Sequence, residues 1–111
     1  MQKLSEIFTA AAGIIERNGL NQDGHYVKGG GFDDCGYPLP REAIADMAMC
    51  FMGAINYAAP SASRVRHYGV IAKLFPTKSV CVWNDNPTTT KEDVIAKLLE
   101  GAEIARADEN V

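Results

Sequence analysis

Apolar side chains recur at three- and four-residue steps over four stretches of the chain, a spacing that is typical of helices. The first stretch, 4–17, places its apolar side chains on one face and ends before Gly19, which favours the left-handed turn that closes a helix. The second stretch, 40–58, is apolar around nearly its whole circumference and begins with Pro40, a residue that the first helical turn accommodates. These features predict one amphipathic helix followed by a buried, central one.

A third helix is predicted over 64–75. Ser61 or Ser63 supplies its N-cap, and Pro76 ends it. The segment that follows, 79–83, alternates β-branched and thiol side chains and predicts one short strand or an extended segment. A lone strand has no ladder partner, so it would pair with the preceding loop or with a second copy of the chain.

The fourth helix begins after a threonine run. Two threonine–acid pairs have the spacing of a capping box, Thr89 with Glu92 and Thr90 with Asp93. The apolar positions of this helix end near residue 105, and the polar tail 106–111 is expected to fray.

Together these elements predict a mainly α protein: a compact four-helix domain that spans 1–111 and has at most a minor β element. The helices are expected to pack around residues 43–58. At 12.0 kDa the chain buries about two thirds of its unfolded surface, which is enough for a core without disulfides.

A long loop, 21–40, interrupts this pattern with five glycines and two prolines. Loops of this length without regular structure are uncommon in compact domains and are often functional. The loop combines aromatic, acidic and imidazole side chains on a flexible backbone, which favours a contact surface on a helical scaffold. Its predicted binding residues are Gln22, His25, Tyr26, Phe32, Asp33, Asp34 and Tyr37. In the alternative interpretation its aromatic side chains only seal the core.

Charge and hydropathy limit the classes of partner that the chain is expected to bind. The net charge of −3 is spread without runs of like charge, which argues against a nucleic-acid surface. The apolar segment 43–59 is short for a membrane span and contains Asp46 and Asn56, so a buried helix is favoured. No leader segment is recognisable, and an odd number of cysteines favours thiols in a cytoplasmic protein.

The cysteines and histidines do not follow a metal-binding pattern. Cys35, Cys50 and Cys81 lie far apart in sequence, and neither histidine has a recognised ligand spacing, so no metal and no cofactor is predicted. Cys50 with His67 as its base would make a hydrolase site. However, the mid-helix position predicted for Cys50 favours an inert, buried thiol, and no catalytic residue is assigned.

Trp83-Asn84-Asp85 invites two interpretations, a functional site or a structural joint. The tryptophan is expected to fill the end of the core, while short Asn and Asp side chains bond to nearby backbone amides and stabilise turns. A joint therefore accounts for every residue of the motif without invoking chemistry.

Several motifs resemble a family of small uncharacterised proteins from actinobacteria and their bacteriophages. They are a Gln-containing loop at Gln22, a Cys-x-x-Gly-Ala helix at Cys50–Ala54 and the Trp-Asn-Asp turn before a Thr-capped helix. The family has no established activity. The resemblance implies a phage or mobile-element gene acting in a bacterial cytoplasm.

Accessory proteins of this kind mostly act by engaging other proteins, so the leading hypothesis is a phage-type protein that binds a host or defence protein. A protein that binds or sequesters a small ligand, such as a nucleotide or metabolite, is the alternative. A cysteine-dependent hydrolase using Cys50 and His67 is the second alternative.

Overall fold

The computed structural model describes residues 3–31, 35, 37–59 and 64–109, without the side chains of 64–66. Helices dominate this part of the chain, which confirms the mainly α prediction. It contains six α-helices, namely α1 (Leu4–Asn18), α2 (Arg41–Ile44), α3 (Phe51–Ala58), α4 (Arg64–Leu74), α5 (Val80–Asp85) and α6 (Lys91–Glu109).

The core lies between the first and last helices rather than around 43–58. Helix α1 packs against both α6 and α3, and α4 packs on α6. Phe8 is fully buried at the α1–α6 contact, where a Cβ on Gly101 would lie 2.7 Å from its ring. The prediction that 43–58 forms the central helix is therefore wrong, because α1 is the helix that packs against both α6 and α3.

Helix α1 matches its predicted stretch and ends as expected at Gly19, whose φ is 97° and whose N–H donates to the Ile15 carbonyl at 2.9 Å. Helix α4 matches the third predicted helix. Its proposed caps, Ser61 and Ser63, lie outside the described residues.

The single helix predicted over 40–58 is wrong. Helix α2 ends at Ile44, and residues 45–50 lead to α3 with an extended stretch at Met49. The backbone of Met49 bridges to Leu20 on one side and to Val27 on the other. Met49 is fully buried, so its segment is apolar because it is enclosed on both sides, and apolar runs of this kind do not distinguish helices from buried extended chain.

The strand predicted over 79–83 is also wrong, because this segment forms α5. Ser79 caps the helix, its hydroxyl accepting from the Val82 N–H at 3.4 Å. The cap and the contacts of α5 with α3 override the preference of Val80 and Val82 for strands. The described residues form isolated bridges but no strand, which removes the strand-based argument for pairing with a second copy.

Helix α6 has the predicted capping box. The Asp93 N–H donates to the Thr90 hydroxyl at 3.1 Å, and the Thr90 N–H donates to the Asp93 carboxylate at 2.9 Å. The helix continues to Glu109 instead of fraying from 106, and its last residue bonds to the start of α1. None of the described helices has both the length and the apolar character that crossing a membrane requires.

Candidate functional site

The amide side chain of Asn84 joins three parts of the chain. Its Oδ1 accepts from the Phe51 N–H at 2.9 Å, and its Nδ2 donates to the Asn21 carbonyl at 3.0 Å and to Asp85 at 2.9 Å. Asn84 is buried on α5, so these bonds satisfy polar groups that water does not reach. The structure thus gives Asn84 the role of a joint between α5, the first turn of α3 and the start of the loop.

Gln22 reinforces this joint from the loop side. Its Nε2 lies within hydrogen-bond distance of the carbonyls of Asn84 at 2.8 Å, Asn86 at 3.1 Å and Thr89 at 3.1 Å. The amide hydrogens therefore point at the turn between α5 and α6. Gln22 was predicted as a binding residue, and the structure shows its amide positioning the loop on that turn.

Trp83 is half-buried and packs against the edge of the core. Its ring centroid lies 5.1 Å from that of Phe75 and 6.1 Å from that of Phe51. Its carbonyl accepts from the Thr89 hydroxyl at 2.7 Å. The tryptophan and the asparagine of the motif thus hold α5 against the core.

The Cys-x-x-Gly-Ala motif lets the loop cross over the start of α3. The Cys50 N–H donates to the Tyr26 carbonyl at 3.0 Å, and the Cys50 Sγ caps α3 by accepting from the Gly53 N–H at 3.2 Å. A Cβ on Gly53 would lie 2.1 Å from the Tyr26 oxygen, a distance that no side chain tolerates. Glycine is required here because the backbone of the loop occupies the space of a side chain.

Asp23 organises the tight turn that carries His25. Its Oδ1 accepts from the Asn21 amide at 2.7 Å and from the His25 N–H at 3.0 Å, and its Oδ2 accepts from the Gly29 N–H at 3.3 Å. These bonds, the one from Asn21 first, lower the pKa of Asp23 to about 2. Sequence reasoning missed Asn21 and Asp23, although Asn and Asp beside Gly24 are typical of such turns.

Two open grooves flank the exposed ring of Tyr26, which is 57% exposed. One groove, of about 470 Å³, is lined by Gly24–Val27, Gly30, Gly31 and Ile44. The other, of about 390 Å³, is lined by Tyr26, Val27, Leu39, Arg41, Ile44, Gly53, Asn56 and Tyr57. We call the face formed by 24–27, Arg41, Ile44 and Tyr57 the Tyr26 surface.

Arg41 gives this surface a fixed polar edge. Its guanidinium carbon lies 3.7 Å from the centre of the Tyr57 ring, and its Nη2 donates to the Tyr57 carbonyl at 2.6 Å. Both contacts hold a long side chain in one orientation.

Of the other predicted binding residues, His25 is exposed on the Tyr26 surface and Tyr37 is exposed elsewhere in the loop. Tyr37 lines neither groove. Phe32, Asp33 and Asp34 lie outside the described residues. The structure therefore places His25 and Tyr26 on one surface, while Gln22 bonds the loop to the turn between α5 and α6.

A third, smaller pocket of about 30 Å³ lies between the loop and α5. Its lining residues are Gly24, His25, Tyr26, Cys50, Met52, Val80, Cys81, Asn84 and Asp85. Sites for small molecules span about 300–1,000 Å³, so this pocket is too small for a nucleotide. Among the described residues no group of three or more His, Cys, Asp or Glu is placed to hold a metal ion.

His67 does not line this pocket. It is fully buried on α4, where its ring packs edge-on against Tyr68. Burial raises the pKa of the Cys50 thiol, which keeps it protonated and poorly nucleophilic. This environment does not favour the hydrolase hypothesis. The sequence predicts Cys50 in the middle of a helix, whereas the structure places it at the N-cap of α3.

The fold and the site define a small helical protein whose glycine-rich loop is tied to a buried asparagine and presents an aromatic side chain to solvent. The chain belongs to a family of unknown function, DUF6197, whose model matches residues 1–104. This confirms that the relatives of the chain form a family without an assigned activity. Searches among curated proteins and among solved structures give no match.

Proposed function

We propose that the protein is a phage-type accessory protein that binds a host or defence protein in the cytoplasm of an actinobacterium, with the Tyr26 surface as its contact. The observation that carries this proposal is the exposed aromatic ring of Tyr26, which stands between two grooves on a backbone that the core holds in place. The proposed origin and location rest on the resemblance described above.

The backbone around Tyr26 is fixed on both sides. The Tyr26 carbonyl accepts from the Cys50 N–H at 3.0 Å, and the Lys28 N–H donates to the Ala48 carbonyl at 2.9 Å. A contact loop that is already ordered loses little conformational entropy on binding, so more of the contact energy appears as affinity. This arrangement supports binding by a preformed surface.

The chemistry of the surface suits a protein partner. Tyrosine and arginine are the residue types that most often dominate the binding energy of interfaces, and here Tyr26, Tyr57 and Arg41 lie around shared grooves. The groove beside Gly30 and Gly31 is mostly apolar. A partner with a protruding apolar side chain and nearby polar groups is complementary to it.

The alternative, a small-ligand protein, has less support. Ligand sites enclose most of their ligand, whereas both grooves beside Tyr26 are open and the third pocket measures only about 30 Å³.

Tyr68 offers a matched control for the test, because it is as exposed as Tyr26, at 57%, but lies on α4 and lines neither groove. A photo-crosslinking phenylalanine analogue is placed at either position, and both proteins are irradiated in actinobacterial lysate. We expect a host protein to crosslink at position 26 and not at 68. The identified partner is then purified and titrated against wild type, Tyr26→Ala and Tyr68→Ala by calorimetry.

The proposal expects Tyr26→Ala to raise the Kd at least tenfold, about 1.4 kcal/mol, while Tyr68→Ala leaves it unchanged. Equal crosslinking at the two positions, or equal affinity of the two variants, would overturn it. Native mass spectrometry of the purified protein covers the alternative: a small molecule that copurifies with wild type and is lost from Tyr26→Ala would replace the proposal.

A further inference from the structure

Two of the three cysteines line the same small pocket. Cys50 is buried at the N-cap of α3, and Cys81 is exposed on α5, yet both line the pocket of about 30 Å³ between the loop and α5. All three cysteines are present as thiols. The function proposed above uses neither thiol.

The geometry of α5 places Cys81 on the face that lines this pocket, which Cys50 also lines. Cys81, Asn84 and Asp85 stand at positions i, i+3 and i+4, so one face of the helix presents all three to the pocket. Asn84 is bonded at 2.9 Å to the N–H of Phe51, the residue that follows Cys50. The hydrogen bond thus fixes α5 against the chain immediately beside Cys50, one turn from Cys81.

The pocket that both cysteines line leaves room for movement. Close-packed interiors resist a rotamer change because it displaces neighbouring atoms. Here a pocket of about 30 Å³ adjoins both residues, and Cys81 is exposed to solvent.

We propose that Cys50 and Cys81 are a modification site, a thiol pair that a peroxide converts into a reversible intramolecular disulfide. The Cys81 sulfur attacks one peroxide oxygen, the O–O bond breaks, and a sulfenic acid and one water form. The Cys50 sulfur then attacks the Cys81 sulfur, the S–O bond breaks, and the released hydroxide takes up the thiol proton as a second water. Two thiols are oxidised and one peroxide is reduced to two waters.

Exposure sets the order of the two steps. Cys81 is open to solvent and reacts first, whereas Cys50 is buried and bonded to the Gly53 N–H at 3.2 Å. Burial also raises the pKa of Cys50, so its thiol is a poor first nucleophile. Cys50 acts as the resolving thiol and gives up its capping bond when the disulfide forms.

Cys35 provides the matched control, because it is exposed like Cys81 but does not line the pocket. Wild type, Cys35→Ser, Cys50→Ser and Cys81→Ser are treated with equimolar hydrogen peroxide, blocked with an alkylator and digested without reductant. Serine is a favoured N-cap, so Cys50→Ser keeps a capping oxygen, and circular dichroism verifies that each variant is folded.

We expect wild type and Cys35→Ser to yield a Cys50–Cys81 crosslinked peptide, lighter by two hydrogen atoms and lost on treatment with dithiothreitol. Cys50→Ser should instead accumulate a sulfenic acid at Cys81, trapped by dimedone, and Cys81→Ser should keep Cys50 as a thiol. The proposal is overturned if wild-type Cys81 proceeds to sulfinic acid while Cys50 still alkylates, or if the crosslink joins Cys35 or two chains. The wild-type peptide map decides this even where a serine variant fails to fold.

Discussion

Glu109, the last described residue of α6, is hydrogen-bonded to Ser5 in the first turn of α1. Its carboxylate accepts from the Ser5 N–H at 3.0 Å and from the Ser5 hydroxyl at 2.7 Å. The first N–H groups of a helix have no partner within the helix, so a residue 104 positions away supplies the cap that Lys3 does not provide.

This contact predicts an acid-sensitive contribution to stability. The bonds from Ser5, its N–H first, lower the pKa of Glu109 below its ordinary value of 4.5. Because the folded-state pKa is the lower one, the contribution is complete above the ordinary value and is lost as the pH falls through the lowered value. Glu109→Gln should therefore destabilise the protein at neutral pH, and this cost should shrink as the pH is lowered below the ordinary value of 4.5, as measured by urea unfolding over a series of pH values.

A double variant provides the control. If Glu109 acts through Ser5, Glu109→Gln should cost less in the Ser5→Ala background than in wild type. Equal costs in the two backgrounds would place the effect of Glu109 elsewhere.

Gly53 should be intolerant of any side chain. In Gly53→Ala the new methyl group would meet the Tyr26 carbonyl oxygen at 2.1 Å, so either the loop or α3 has to move, at a cost of about 3 kcal/mol or more. Gly69 is the matched control, because it lies exposed within α4 with nothing within 4 Å of its Cβ position. Gly69→Ala should stabilise the protein by about 0.5–1 kcal/mol through helix propensity. Thermal unfolding measures both variants. If their melting temperatures shift in the same direction, the close contact between the loop backbone and α3 at Gly53 is contradicted.

The side chain of Asn84 should contribute more to the free energy of unfolding than the side chains of its neighbours Asp85 and Asn86. Asn84→Ala leaves the buried Phe51 N–H and Asn21 carbonyl without this partner, which costs about 2–4 kcal/mol. Asp85→Ala removes a partly buried acceptor and should cost about 1 kcal/mol. Asn86 is exposed, and its side chain accepts from the N–H and the hydroxyl of Thr88, so Asn86→Ala should cost less than about 1 kcal/mol. Denaturant midpoints for the three variants test this ranking, and an Asn84→Ala midpoint near that of Asn86→Ala would refute the joint.

The sequence predicts the helices whose apolar faces are periodic and whose ends carry local signals. Gly19 closes α1, and Thr90 with Asp93 opens α6, because each acts on backbone groups within its own turn. Residues 45–50 and α5 were assigned wrongly because their conformation depends on distant partners. Met49 is extended between Leu20 and Val27, and α5 is held by Asn84.

The site was predictable to the same limited extent. Exposure of His25 and Tyr26 follows from a polar, glycine-rich loop, and the core position of Trp83 follows from its place beside an apolar run. The role of Gln22 did not follow, because its three carbonyl acceptors lie more than 60 residues away. Nor did sequence periodicity show that Cys50 and Cys81 share a pocket, since α5 is bonded to the start of α3 through Phe51 and Asn84, which lie 33 positions apart.

The hydrogen bond from the Phe51 N–H to Asn84 makes this amide a probe of the joint by hydrogen–deuterium exchange. The leading amides of a helix ordinarily exchange their hydrogens with solvent quickly, because no carbonyl of the helix receives them. The Phe51 N–H, the first of α3, donates to Asn84. The N–H of the preceding residue, Cys50, donates to the Tyr26 carbonyl. Both amides are therefore protected by partners from other segments. Deuterium uptake at the Phe51 amide in the unaltered protein therefore reports how often α5 opens away from α3, and uptake at the Cys50 amide reports how often the loop opens.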